Sequence, residues 1–422
     1  MTEIRPFRAL RYDTQRVDLS RVLVPPYDVI APEERARFYT RDPHSAIRLE
    51  LTRNVAEEAA ADYTEVRRTL EAWCREGVLA QDAAPAFYAL RQSFTAPDGR
   101  RCTRDGFFGL LHLEDYARRV VRPHERTLAQ PKADRLKHLR AARANVSSIF
   151  LLYEDREAGL EACLEAAFAT APLARAQDES GAEHALARIA EAESIAALQA
   201  FLAARPVVIA DGHHRYETAL AYRDEQRAAA AHADAPSDWV LAYFANAFAP
   251  GTLLLPIHRL VLRGAMPSER VWRERLPGWR AETLAVASAE ALPELLARHL
   301  EPLRERHAFA ADDASGRLVI FSRPRAPGDA LSVRVIHREV IEGVFGLDEA
   351  AVREGAIAYP KSALQTAREL RAGHGAVALY LNALAPEDVF RITEAGEVLP
   401  QKSTFFYPKL PTGLLFRTLE GA

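Results

Sequence analysis

The sequence predicts a mixed α/β fold built from two or three units. Three observations carry that expectation. At 422 residues the chain exceeds an ordinary single domain. Apolar runs of strand length, such as 207–210, 239–244 and 149–153, alternate with amphipathic stretches of helical period. One of those runs, Val207-Val208-Ile209-Ala210, passes through Asp211-Gly212 directly into a helix-forming run from His213. A helix start of this kind presents unpaired N–H groups and a partial positive charge, and glycine lets an anion approach the backbone. With His213, His214 and Arg215 as further donors, the turn reads as a phosphate cradle.

Composition narrows the function classes. Hydrophobic residues make up 49% and charged residues 27%, normal for a globular protein with a sizeable core. The net charge of −3, from 55 basic and 58 acidic residues, argues against nucleic acid as a partner. Cys74, Cys102 and Cys163 form neither a CxxC pair nor a zinc spacing, and suit a reducing cytosol. The N-terminus lacks the apolar run of a signal peptide, and nothing reaches membrane-span length. A cytoplasmic protein acting on a small molecule is expected, with a homodimer left open.

Taken in order, Val22-Leu23-Val24 reads as a strand giving way to the Pro25-Pro26-Tyr27-Asp28-Val29-Ile30 turn, and Pro32-Glu33-Glu34 as a helix start. Residues 55–77 carry a helical stripe of Tyr63, Val66, Leu70 and Trp73. Residues 87–94 and 104–111 are two strands about the Pro97-Asp98-Gly99-Arg100 turn. A second polar concentration follows, Pro123-His124-Glu125-Arg126-Thr127 with Lys132, Asp134 and Arg135. A carboxylate between two basic groups stays ionised, so Glu125 could orient a hydroxyl. The Ala-, Glu- and Leu-rich residues 155–204 read as a helical insertion, 213–233 as a helix, and 331–336 as a strand. Expected boundaries are 1–154 for the N-terminal α/β part of the core, 155–204 for the insertion, and 205–262 for the strand–turn–helix. Beyond these, 263–330 reads as an α/β appendage and 331–422 as a C-terminal α/β part with a basic tail loop. In that loop Phe405, Phe406 and Tyr407 should anchor the chain, leaving Lys402, Ser403, Thr404 and Lys409 for an anion. GxxxxGK[ST], GxGxxG, HExxH and GxSxG are absent as site-forming motifs.

Asp211-Gly212-His213-His214-Arg215-Tyr216 resembles the phosphate-binding turn of sulfiredoxin, with His213 at the position of its catalytic cysteine, which excludes sulfinic acid repair by that route. It is still closer to the Asp-Gly-His-x-Arg element of the free serine kinases of the ParB/sulfiredoxin superfamily. Along its length the chain resembles the bacterial and archaeal domain-of-unknown-function family 1015. The landmarks are 25–30, 123–127, 211–217, Leu255-Pro256-Ile257-His258-Arg259 and 402–409. The resemblance implies a ParB/sulfiredoxin-like nucleotide-binding core with helical insertions, and a phosphotransferase using ATP, ADP or another phosphoryl donor with Mg2+. It implies free L-serine as acceptor, giving O-phosphoserine. In that reading Gly212, His214 and Arg215 hold donor phosphates, and Glu125 is the base, with Asp211 as rival base or Mg2+ ligand and His213 also catalytic. Asp28, His124, Arg126, Lys402, Ser403, Thr404 and Lys409 complete the substrate site. Three alternatives stand beside it: phosphoserine phosphatase-like hydrolysis at the same site, a non-catalytic nucleotide-gated ParB-like switch, and metal-dependent hydrolysis through Asp211, His213, His214 and His124.

Overall fold

The structure is a computed structural model that describes residues 1–53, 61–125, 127, 129–229, 234–326, 328–400 and 402–419. The chain forms two compact units. The first comprises residues 1–253, 392–398 and 408–422, and the second comprises 254–391 and 399–407. The expected mixed α/β class is what is observed.

The first unit is built on a nine-stranded mixed sheet. Its strands are β1 (Ile4–Arg5), β2 (Phe87–Thr95), β3 (Arg101–His112), β4 (Val121–Arg122), β5 (Ile149–Tyr153), β6 (Ala174–Gln177), β7 (Glu183–Ile189), β8 (Val207–Asp211) and β9 (Trp239–Asn246). They lie in the order β4-β8-β5-β9-β3-β2-β7-β6, with β1 paired to β3. β2 and β3 form the expected hairpin. β5, β8 and most of β9 are buried on both faces, and so read as continuous apolar runs. Phe87, Phe107 and Phe244 pack with Ile149, Leu151 and Val207 in the core beneath the sheet. The helices α1 (Thr64–Arg75), α2 (Ala129–Ala142) and α3 (His213–Ala229) complete this part of the unit. Residues 230–233 of the expected 213–233 helix lie outside the described residues.

Three sequence expectations are corrected. Residues 155–204 are not purely helical, because β6 and β7 lie within them and β7 pairs with β2 from Glu183↔Ser93 to Ile189↔Phe87. Alanine-rich composition favours helix, but burial against the rest of the sheet decides here. The Val22-Leu23-Val24 run is the end of a helical turn, Leu19–Val22, started by the Asp18 carboxylate accepting the Ser20 N–H. Only Val24 bridges another chain segment, at Thr412. Ser332–Ile336 is a helix rather than a strand; Val333, Val335 and Ile336 are all buried there, so packing overrides the β preference of the branched residues.

The second unit contains β10 (Arg259–Val261), β11 (Arg280–Ala285), β12 (His307–Asp312), β13 (Arg317–Arg323), β14 (Ile357–Ala358) and β15 (Val377–Leu381). They form a sheet in the order β11-β13-β12-β15-β10-β14. Among the described residues no helix is long and apolar enough to cross a membrane.

Candidate functional site

The strand–turn–helix forms as expected. β8 is buried to Ala210, and its register against β5 shifts between Ile209 and Asp211. Such an irregularity re-aims the side chains that follow it. Gly212 then adopts φ +92°, where other residues are strained, and α3 begins at His213. α3 is anchored one turn on by Tyr216, whose buried hydroxyl donates to the Glu114 carbonyl at 2.7 Å.

Asp211 organises the turn. Its Oδ1 accepts from Lys409 Nζ at 2.8 Å and its Oδ2 from Arg215 Nη2 at 2.8 Å. Burial opposes its ionisation, yet Lys409 and Arg215 together hold the carboxyl well below the usual range. With both oxygens engaged by cations, Asp211 is a clamp. The expected roles of base and Mg2+ ligand do not suit that geometry.

Arg215 is fastened by Asp211 and by Nη1 donating to the Ser148 carbonyl. Its Nε is buried and has no partner among the described residues. A Cβ placed on Gly212 would meet that Nε at 3.0 Å. The missing side chain therefore lets the guanidinium pack directly against the backbone at a helix start. A guanidinium and a helix start are both donors of the kind that phosphate oxygens accept from.

The second polar cluster reaches the same turn. The His124 N–H donates to His213 Nε2 at 3.3 Å, and the two rings meet edge to face at 4.7 Å. His124 Nδ1 donates to the Ile209 carbonyl, and Glu125 Oε1 lies 3.7 Å from His124 Nε2. Thr127 Oγ1 and Lys132 Nζ both donate to Glu217 on α3 at 2.8 Å. His213 and His124 each commit one ring nitrogen to the backbone, and no group of three His, Cys, Asp or Glu able to hold a metal occurs among the described residues. Joint metal ligation by Asp211, His213, His214 and His124 is therefore not the arrangement found.

Asp28 is exposed on its turn and close enough to bias the charge of both His214 and Arg215. The tail cluster divides: Lys409 belongs to the first unit and clamps Asp211, whereas Lys402, Ser403 and Thr404 belong to the second. Arg126 lies outside the described residues.

Sequence reasoning missed the support behind Arg215. Glu50, buried, faces Arg135 at 3.3 Å; Arg135 grips Asp134 at 2.6 Å, and Tyr63 donates to Asp134 at 3.0 Å. Burial pushes the Glu50 carboxyl up, while Arg135 and then Arg215 pull it back. Glu50, Arg135, Ser147 and Arg215 line one cleft. The legible signal was Glu50 standing between Leu49 and Leu51 in an apolar run.

Burial lowers the basicity of His124 and His213, and depresses His138 and His258 to about 3. Free histidine titrates near 6.5, so the unfolded chain takes up these protons first. Stability is then full above about pH 6.5 and falls as pH drops toward the folded values. The urea midpoint should be lower at pH 5.5 than at 7.5, with a smaller difference in His138→Gln; equal midpoints in the wild type would contradict the neutral burial of these rings.

The model of the DUF1015 family, described as proteins of unknown function, matches residues 4–292. The chain belongs to the DUF1015 family. No protein of curated function matches it. Among solved structures, a conserved hypothetical protein from Pyrococcus furiosus is 14% identical, with 74% of this chain and 96% of that one covered at a TM-score of 0.35. A free serine kinase variant in complex with AMP is 14% identical, with 74% and 92% covered at 0.38. SbnI from Staphylococcus aureus, truncated at its C-terminus, is 12% identical, with 74% and 89% covered at 0.35.

Proposed function

We propose that this DUF1015 protein is a phosphotransferase that holds the phosphates of a nucleotide donor at Gly212 and passes a phosphoryl group to a small hydroxyl metabolite. One observation carries the reading: the buried, unpartnered Nε of Arg215 lies against a positive-φ glycine at the start of α3. The first-turn N–H groups and Arg215 would bind donor phosphate oxygens, and His214 would add a further donor. As the acceptor oxygen bonds to phosphorus, the bond to the leaving phosphate breaks and takes its electron pair. The hydroxyl proton passes to Glu125, which sits beside His124 and thus beside the turn. Catalysis of this kind is mainly positioning and charge stabilisation.

Free L-serine is the acceptor we favour, on the likeness of the Asp-Gly-His-His-Arg turn to that of the free serine kinases. Asp28, exposed and near Arg215, would take the ammonium group of an amino acid.

The test is turnover. The chain is incubated with Mg2+, with ATP, ADP or pyrophosphate as donor, and with a panel of small alcohols including serine, and followed by ³¹P NMR. A phosphomonoester that grows with time and disappears in Glu125→Gln is expected. Release of inorganic phosphate alone would favour hydrolysis at the same site. No turnover in either direction, with tight nucleotide binding retained, would favour a switch protein.

A further inference from the structure

The second unit carries a charged concavity that the Gly212 reading does not use. Arg259, Arg304, Arg306 and Arg325 line it, together with Ser332 and Ser403. The cavity itself is small, ≈ 30 Å³, and opens to solvent, so it admits one small group rather than a whole ligand. The carboxylate in its wall, Asp388, lies 3.9 Å from Arg325 and is already held by Arg391 at 2.8 Å. Among the described residues neither Arg304 nor Arg306 makes an ion pair. Four arginines thus line a concave space whose wall holds one carboxylate, and field lines concentrate there so that an anion is favoured.

The wall is built rather than incidental. Arg259 is buried, and its guanidinium donates to the carbonyls of Ile257 and Lys402, the latter at 3.3 Å. Lys402 has φ +57°, a left-handed conformation that a lysine holds only when its surroundings impose it. Next to it, the Ser403 hydroxyl donates to the Pro400 carbonyl at 2.7 Å. Arg259 therefore ties down the strained turn that sets Ser403 into the wall.

We propose that this arginine pocket binds the phosphate group of a small phosphorylated metabolite. The arginines come from three separate stretches of chain, at 259, 304–306 and 325, and so approach from different directions. A tetrahedral dianion can use several such forks at once, whereas one fork satisfies a planar carboxylate. The pocket's concavity suits a compact ligand rather than a polyanionic chain.

The experiment is calorimetric titration of the full-length chain with inorganic phosphate at fixed ionic strength, with acetate run in parallel. It is done on Arg215→Gln, so that the Gly212 turn cannot account for the heat. One phosphate should still bind per chain, and acetate should compete at least about tenfold less well. Adding Arg306→Gln and Arg325→Gln should weaken phosphate at least about tenfold. Should that variant fail to fold, Arg306→Lys and Ser403→Ala, which keep the charge, should each weaken binding about threefold. The proposal is overturned if phosphate does not bind in the Arg215→Gln background, if affinity survives all of these changes, or if acetate binds equally well. Because every arm carries Arg215→Gln, success or failure here is independent of the Gly212 reading.

Discussion

Arg215→Ala should lower the affinity for a nucleotide diphosphate, and kcat/KM for any phosphoryl transfer, by about 10³-fold. The side chain supplies the unpartnered guanidinium Nε against Gly212, and no neighbour can replace it: His214 carries a proton reluctantly because burial, chiefly, lowers its basicity, and Lys409 is spent on Asp211. Arg215→Lys should recover only part of the loss, since an ammonium cannot reach Ser148, Asp211 and a phosphate at once. Equilibrium titration with ADP checks this, alongside a melting curve that confirms folding. Binding of ADP by folded Arg215→Ala within threefold of wild type would remove the turn as the phosphate site.

Asp211→Asn should cost stability as well as function. The carboxylate neutralises two cations, and only 15% of its side chain is exposed, against 18% for Lys409 and 13% for Arg215. Removing one member of so enclosed a group leaves uncompensated buried charge, at a cost of about 3 kcal/mol, the low end for buried pairs because some solvent reaches each partner. The sign with pH is fixed by the depressed carboxyl. Its contribution is complete above the unfolded value near 4 and disappears as pH falls through the folded value. The gap between wild-type and Asp211→Asn urea midpoints should therefore hold steady from pH 5 to 8 and close below about pH 4. A gap that widens in acid, or none at neutral pH, would mean that Lys409 and Arg215 do not depend on this carboxylate.

How much of this was readable before folding differs from residue to residue. The Asp211-Gly212 turn was legible because its signals are local: an apolar run, a glycine and a helix-forming run, each acting over a few residues. The hairpin of β2 and β3 was legible for the same reason. β7 was not, because its alanine-rich text favours helix and only pairing with β2, some 90 residues earlier in the chain, makes it a strand. The clamp on Asp211 was half legible. The sequence marked both Asp211 and Lys409, but as free groups for a ligand, whereas they neutralise each other across 198 residues of chain.

The sequence by itself determined the class of fold, the family, and the strand–turn–helix at Asp211-Gly212, since these rest on local periodicity and on motifs in a set order. The tertiary structure decided which charges are spent and which are open. It joined Lys409 to Asp211, brought His124, with Glu125 beside it, to His213, separated Lys402, Ser403 and Thr404 into the second unit, and left Arg215 Nε facing Gly212. The reason is that a residue's charge is written in its own letter, whereas its availability depends on the partners and burial that distant parts of the chain supply.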